Sequence, residues 1–335
     1  MPASLKPIAE QVIVITGATS GIGLATAREA ARHGATVVVS SRDEPDLVEV
    51  VGDLRSRGAK ASHFAADVGD PDAMRRLADH AVAEFGRIDT WVNNAGTSIY
   101  GRIEDIPLVD AERMFRTNYW GVVNGSLAAV PHLRANGGTL INLGSEVSET
   151  AIPLQGHYVA SKHAVKGFTD TLRLELEKEG APIVVTLIQP AAIDTQFLDH
   201  SKTYLGVVPS HVPPVYDAKI VGDAIVECAQ SRHRNLRVGG AAKLYTSIEK
   251  TAPRLGDKMK ERTAFEGSKT DRPKSSDDDT LWAPRSGDVS ESGSYSGRVK
   301  QRSLYTSAAL RPMTALLGAA AIGVGLAAMM SRRGD

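Results

Sequence analysis

The chain has one cysteine, Cys228, among 335 residues. That excludes an internal disulfide framework and fits a reducing compartment. It has no net charge either, since 39 basic residues balance 39 acidic ones. Without a basic surface, nucleic-acid binding is not expected. The nine histidines are scattered, and none forms HxxxH or pairs with cysteine. No structural or catalytic metal is therefore expected. A secretory leader is not legible: MPASLKPIAE is polar, and the apolar run at 12–15 is far too short. What is present is enough chain for one large α/β domain plus extra segments.

Short β-branched runs alternate with helical spacing. VIVIT at 12–16 and TVVVS at 36–40 read as buried parallel strands, followed by strands near 61–65, 89–93, 139–143, 183–189 and 235–238. Helical patterns occupy 22–33, 71–85, 108–134, 157–179 and 217–232. Such alternation predicts a Rossmann-type doubly wound parallel sheet in one domain, with antiparallel α+β pairing as the alternative.

Composition changes after about residue 263. The stretch 264–307, with KSSDDD and SESGSYSGR, holds almost no aliphatic residues. It is expected to be a disordered linker between a domain at 1–262 and a hydrophobic tail at 308–335. Within that tail, 313–330 is uncharged and bordered by Arg311, Arg332 and Arg333. As a helix it would reach about 27 Å, short for a bilayer core but sufficient. A membrane anchor is expected; a weakly helical tail that docks or self-associates is the alternative. Arg298, Lys300, Arg302 and Arg311 on the domain side predict that the domain faces the cytoplasm.

Two motifs carry chemistry. Gly17, Gly21 and Gly23, in TGATSGIG at 16–23, follow the first strand and open the first helix. A tight turn there presents backbone N–H groups to a pyrophosphate, although an ordinary strand–helix turn has similar residues. Tyr158 and Lys162, in YVASK, lie about one helical turn apart and project from one face. A neighbouring ammonium favours phenolate, so the pair suits proton exchange between a carbonyl and an alcohol. A solvated helix face is the plainer reading of YxxxK alone.

Together with Asp67–Val68, NNAG at 93–96, Asn118 and Ser145, these motifs resemble the classical short-chain dehydrogenases/reductases over roughly 8–240. The resemblance implies that Gly17, Ser20, Gly21, Ile22 and Gly23 cradle a dinucleotide, and that Asp67 and Val68 meet its adenine. Asn93, Ala95 and Gly96 would line the coenzyme near the sheet centre. Pro190, Ile193 and Thr195 would contact the nicotinamide end, although Ala191 stands where the family usually has glycine. Ser145 would hold the substrate oxygen and Tyr158 would exchange its proton. Lys162 would tune Tyr158 and bind the ribose, and Asn118 would help hold a water for proton resupply.

At the end of the second strand, Ser41 and Arg42 replace the acid that NAD-preferring relatives use. A guanidinium there suits a 2′-phosphate, so NADP(H) is expected over NAD(H). The alternative is a surface arginine paired with Asp43 or Glu44. The implied activity is interconversion of a carbonyl and a secondary alcohol on a small, lipophilic substrate. Phe197, Leu198, Tyr204, Leu205, Val207 and Val208, in the closing segment 191–215, would either line its pocket or pack the loop. A homodimer or tetramer would form through the helices at 108–134 and 157–179. Competing readings are an idle dinucleotide-binding membrane scaffold or redox sensor, and an epimerase or dehydratase on a related fold.

Overall fold

The computed structural model describes residues 5–311, apart from 241–242, 244–246, 249–250 and 276. Seven strands form the central sheet: β1 (Val12–Thr16), β2 (Thr36–Ser41), β3 (Ala61–Ala65), β4 (Thr90–Asn93), β5 (Gly138–Leu143), β6 (Ile183–Pro190) and β7 (Asn235–Val238). Their order is β7-β6-β5-β4-β1-β2-β3, and every pairing is parallel. The order reverses between β1 and β4, which opens a crevice at the carboxyl ends of the strands.

The inner strands are buried without alternation because both faces are covered, whereas the edge strands β3 and β7 are partly exposed. Ile13, Ile15, Val37 and Val39 pack on one side with α1 (Gly21–Arg32). Val12, Val14, Val38 and Trp91 pack on the other with α3 (Pro71–Phe85) and α5 (Gly121–Asn136). Between α1 and α3 lies α2 (Glu44–Ser56), which the apolar pattern alone did not predict. Its start is set by Asp43, whose side chain accepts from the Asp46 N–H, and by proline in its first turn.

The long helix expected over 108–134 is interrupted. An α-helix, α4 (Leu108–Phe115), passes into one π-helical turn, Arg116–Trp120, before α5 begins. The wider turn carries Asn118, which is fully buried. The helix expected over 157–179 is α6 (Gly156–Lys178), and α7 (Ala218–Gln230) precedes β7.

The expectation of a disordered linker over 263–307 is overturned. Helix α8 (Pro253–Gly267) runs into Lys269–Pro273, which pairs antiparallel with Val207–Pro209. Val299–Lys300 joins Val215–Asp217, and a short helix spans Leu304–Leu310. The composition rule asks whether a segment can build a core of its own; this one docks on an existing domain through backbone and polar contacts. The Lys274 ammonium, buried, donates to the carbonyls of Leu198, Asp199 and Ser201. Leu281, 1% exposed, adds about 2 kcal/mol of apolar burial. No helix among the described residues is long and apolar enough to cross a membrane. The expected anchor at 313–330 lies outside the described residues.

Candidate active site

The glycine turn is built against the loop after β4. Gly17 has φ +63°, and a Cβ on it would stand 2.8 Å from the Ala95 Cα. A Cβ on Gly23 would meet the Gly17 carbonyl oxygen at 2.0 Å. Neither position accepts alanine without moving backbone. The Thr16 hydroxyl accepts from the Asn94 and Ala95 N–H groups, and the Asn94 amide donates to the carbonyls of Thr16 and Gly17 at 2.9 Å each. Asn94 is thus the residue of NNAG that holds the turn. Asn93 lies within the sheet, where it accepts from Trp91 Nε1 and donates to Ser126 and Asn142.

At the end of β5, Ser145 caps a short 3₁₀ turn, and its hydroxyl accepts from the Val147 N–H at 3.3 Å. Tyr158 of α6 lines the same cavity as Ser145. The Lys162 ammonium donates to the Leu143 carbonyl at 2.9 Å and lies 5.8 Å from the centre of the Tyr158 ring. Lowering of the Tyr158 pKa by Lys162 is not what the protein alone achieves. Burial pushes the phenol up to about 12, against an opposing contribution from Ser145, with Glu146 raising it further. Burial also pushes Lys162 down to about 8.

Asn118 accepts from the Thr97 N–H at 2.9 Å and donates to the Thr97 carbonyl and the Ser161 hydroxyl. A Cβ on Gly96 would lie 3.4 Å from Asn118 Oδ1 and 3.7 Å from Lys162 Nζ. Those two atoms therefore border the small space that glycine leaves.

One cavity of about 290 Å³ runs from the glycine turn to Ser145, Tyr158 and Lys162. Gly17, Ser20, Gly21, Ile22, Ala95, Gly96, Ser145, Tyr158, Lys162, Pro190, Ala191, Ile193 and Thr195 all line it. A second, of about 130 Å³, is bordered by Arg42, Asp67 and Val68. Gly23, Asn93 and Asn118 stand behind these walls and line neither. The extra methyl of Ala191 is accommodated without closing the cavity.

Arg42 is not a surface ion pair. Its guanidinium donates to the carbonyls of Thr280, Leu281 and Trp282. Burial and the neighbouring Arg113 lower its pKa. Asp43 is committed elsewhere, as the cap of α2 and as acceptor from the Ser286 hydroxyl at 2.6 Å. Burial alone would raise Asp67, but the Gly69 N–H and the Arg113 guanidinium outweigh it and hold its carboxylate below the usual range.

Of the six apolar residues expected in the closing segment, Phe197 alone lines the larger cavity. Leu198 is buried in the core, and the Tyr204 hydroxyl donates to Asp110. The outer wall comes instead from Val212 and from Met259 and Ala264 of α8. Polar groups also face inward. Glu146 is half-buried as a residue, but its Oε2 is closed to solvent, has no hydrogen-bond partner among the described residues, and burial pushes the carboxyl up to about 7. His211 Nε2 also has no partner there, and burial pushes that imidazole down to about 4. The sequence offered no periodic signal for either residue.

Residues 11–204 match the family model for short chain dehydrogenases. The chain is 39% identical over 327 residues to the uncharacterized oxidoreductase YxnA of Bacillus subtilis, covering 97% of this chain and 91% of that one. It is 36% identical over 200 residues to 11-beta-hydroxysteroid dehydrogenase 1A of Arabidopsis thaliana, covering 58% of this chain and 56% of that one. Among solved structures it is similar to a short chain dehydrogenase/reductase from Burkholderia phymatum in complex with NAD, with TM-score 0.68 and 26% identity over 75% of this chain and 96% of that one. It is also similar to an alcohol dehydrogenase from Thermococcus sibiricus complexed with 5-hydroxy-NADP, with TM-score 0.61 and 25% identity over 68% of this chain and 95% of that one. The chain belongs to the short-chain dehydrogenase family and is an oxidoreductase of that family.

Proposed function

We propose that this protein interconverts a carbonyl and a secondary alcohol with NADP(H), on a small substrate whose body is mainly apolar. The observation that carries the reading is that one cavity is lined both by the glycine turn and by Ser145, Tyr158 and Lys162. A dinucleotide spanning it would meet the N-terminus of α1 with its phosphates, and Pro190, Ile193 and Thr195 with its nicotinamide end. When bound, the nicotinamide supplies or accepts the hydride.

The protein's own groups handle the oxygen and the proton. Ser145 holds the substrate oxygen beside the Tyr158 hydroxyl. With its pKa pushed up to about 12, Tyr158 is protonated at neutral pH and acts as the acid for carbonyl reduction. Lys162 and Asn118 border the space next to Gly96 through which a water resupplies the proton. Val147, Ile152, Phe197 and Met259 contact the substrate body, while Glu146 and His211 offer polar contacts at its edge.

NADP(H) is favoured over NAD(H) because Arg42 borders the cavity at the end of β2, whereas Asp43, next in sequence, is engaged in capping and Asp67 is paired with Arg113. The idle-sensor alternative gains little from the lone thiol: Cys228 is fully buried, and burial pushes it up to about 12. Association as a dimer or tetramer is supported by Trp120, Leu127 and Leu174, exposed on or beside α5 and α6. The anchor at 313–330 stays part of the proposal on sequence grounds. Oxidation of NADPH in the presence of a panel of apolar ketones and aldehydes tests the reading. Dinucleotide binding without turnover of any carbonyl or alcohol would favour the idle module.

A further inference from the structure

Residues 278–293, beyond the part of the chain that matches the family model, border the smaller cavity and touch the end of β2 and the starts of α1 and α2. Arg42 holds the carbonyls of Thr280, Leu281 and Trp282. Arg113 Nε donates to the Leu281 carbonyl at 3.2 Å, and its guanidinium carbon lies 6.0 Å from the Trp282 ring centre. Trp282 Nε1 donates to Asp110 at 2.7 Å. Further along, Ser286 and the Gly287 N–H donate to Asp43 and Asp46 at the start of α2. The Gly21 N–H at the start of α1 donates to the Ser290 carbonyl at 2.8 Å. The Gly293 N–H reaches Asp194 at 3.2 Å, beside the nicotinamide-side loop.

Space remains beneath this segment. Thr280, Leu281, Pro284 and Arg285 line the 130 Å³ cavity together with Arg42 and Asp67. We infer that 278–293 is a strap that closes over the adenosine end of the coenzyme, with Arg285, paired to Asp278 and Asp288 of the same segment, in its wall, and that it lifts for coenzyme exchange. The attachments govern that motion. Apart from Leu281 they are polar, but Asp43, Asp46, Asp110 and Arg113 are buried and Lys202 pairs with Asp279 at 3.1 Å, so the strap opens only as water reaches these groups and the closed form is the resting state. The inference rests on the coenzyme reading above.

The test uses the full chain and NADPH. In the wild-type protein, tryptic cleavage after Arg285, followed by mass spectrometry, should slow when NADPH is bound. Two variants should release NADPH at least about tenfold faster in stopped-flow fluorescence. Trp282→Ala removes the Asp110 hydrogen bond and the stack on Arg113. Gly293→Val forces the strap outward, because a Cβ there would meet the Thr195 carbonyl oxygen at 2.2 Å. Faster cleavage with NADPH bound would mean that strap and coenzyme compete, and would overturn the inference. Unchanged release in both variants would overturn it too, while leaving the coenzyme reading intact. A wild-type protein that binds neither NADPH nor NADH would overturn both.

Discussion

The ammonium of Lys162 stands 5.8 Å from the centre of the Tyr158 ring, yet its hydrogen bond goes to the carbonyl of Leu143. The charge is near the phenol without pairing with it, so burial decides the state of both groups. Tyr158 holds its proton tightly, and Lys162 loses its own more easily than an exposed lysine.

Tyr158→Phe keeps the ring and its contact with Phe197 but removes the transferable proton. Turnover should fall by about 10²–10⁴, while coenzyme affinity stays within about twofold. Steady-state kinetics and a fluorescence titration on the same preparation check this. Retention of more than about a tenth of wild-type kcat would assign the proton to another group.

The two reaction directions should differ in pH dependence. Alcohol oxidation needs the phenolate, whose fraction grows with pH, so its kcat should climb through the alkaline range. Carbonyl reduction needs the phenol and should be flat across neutrality. Profiles in both directions between about pH 6 and pH 10 decide the point. Parallel profiles would contradict the acid–base role.

Glu146 makes a separate prediction about stability. Its folded-state pKa of about 7 lies above the unfolded value, so the folded protein binds that proton more tightly. The sign follows: its favourable contribution is complete below the unfolded pKa of about 4.3 and is lost as pH rises through about 7. Glu146→Gln should therefore raise Tm at about pH 8 and change it little at about pH 4. An equal Tm at the higher pH would mean the carboxyl is solvated.

Arg42 should set coenzyme choice. NADPH should bind about tenfold more tightly than NADH, a difference of about 1.4 kcal/mol, and Arg42→Ala should erase the ratio. Titration of both coenzymes against both proteins measures it. Equal affinities in the wild type would show that Arg42 serves the strap alone.

Two truncations separate the tail from the site. A chain ending at Arg311 should keep activity and leave the membrane fraction, whereas one ending at residue 263 should lose coenzyme affinity with its strap. Full-length protein recovered without detergent, or a fully active shorter chain, would contradict one half of this account or the other.

The sheet was legible because both of its faces are covered: VIVIT and TVVVS could hardly be anything but buried strands. The proposed catalytic pair was legible through spacing, since Tyr158 and Lys162 are placed by α6 itself. Asn118 was readable as a helical residue, but the π turn that carries it has no compositional mark. Arg42 was found in sequence, although its carbonyl partners lie some 240 positions away. The strap was misread because Ser, Gly and Asp predict poor cores, and composition is silent about docking on a neighbour. Glu146 escaped notice for a similar reason: an acid beside Ser145 gains meaning only once the cavity wall is in place.

The central claim is tested most directly by reduced coenzyme carrying deuterium at the transferable position. With a carbonyl that the protein turns over, wild-type protein should deliver one deuterium to the carbinol carbon of the product, and Tyr158→Phe should deliver almost none while still binding the coenzyme. Alcohol formed without deuterium, or equal transfer by the two proteins, would contradict hydride transfer with Tyr158 as the proton donor.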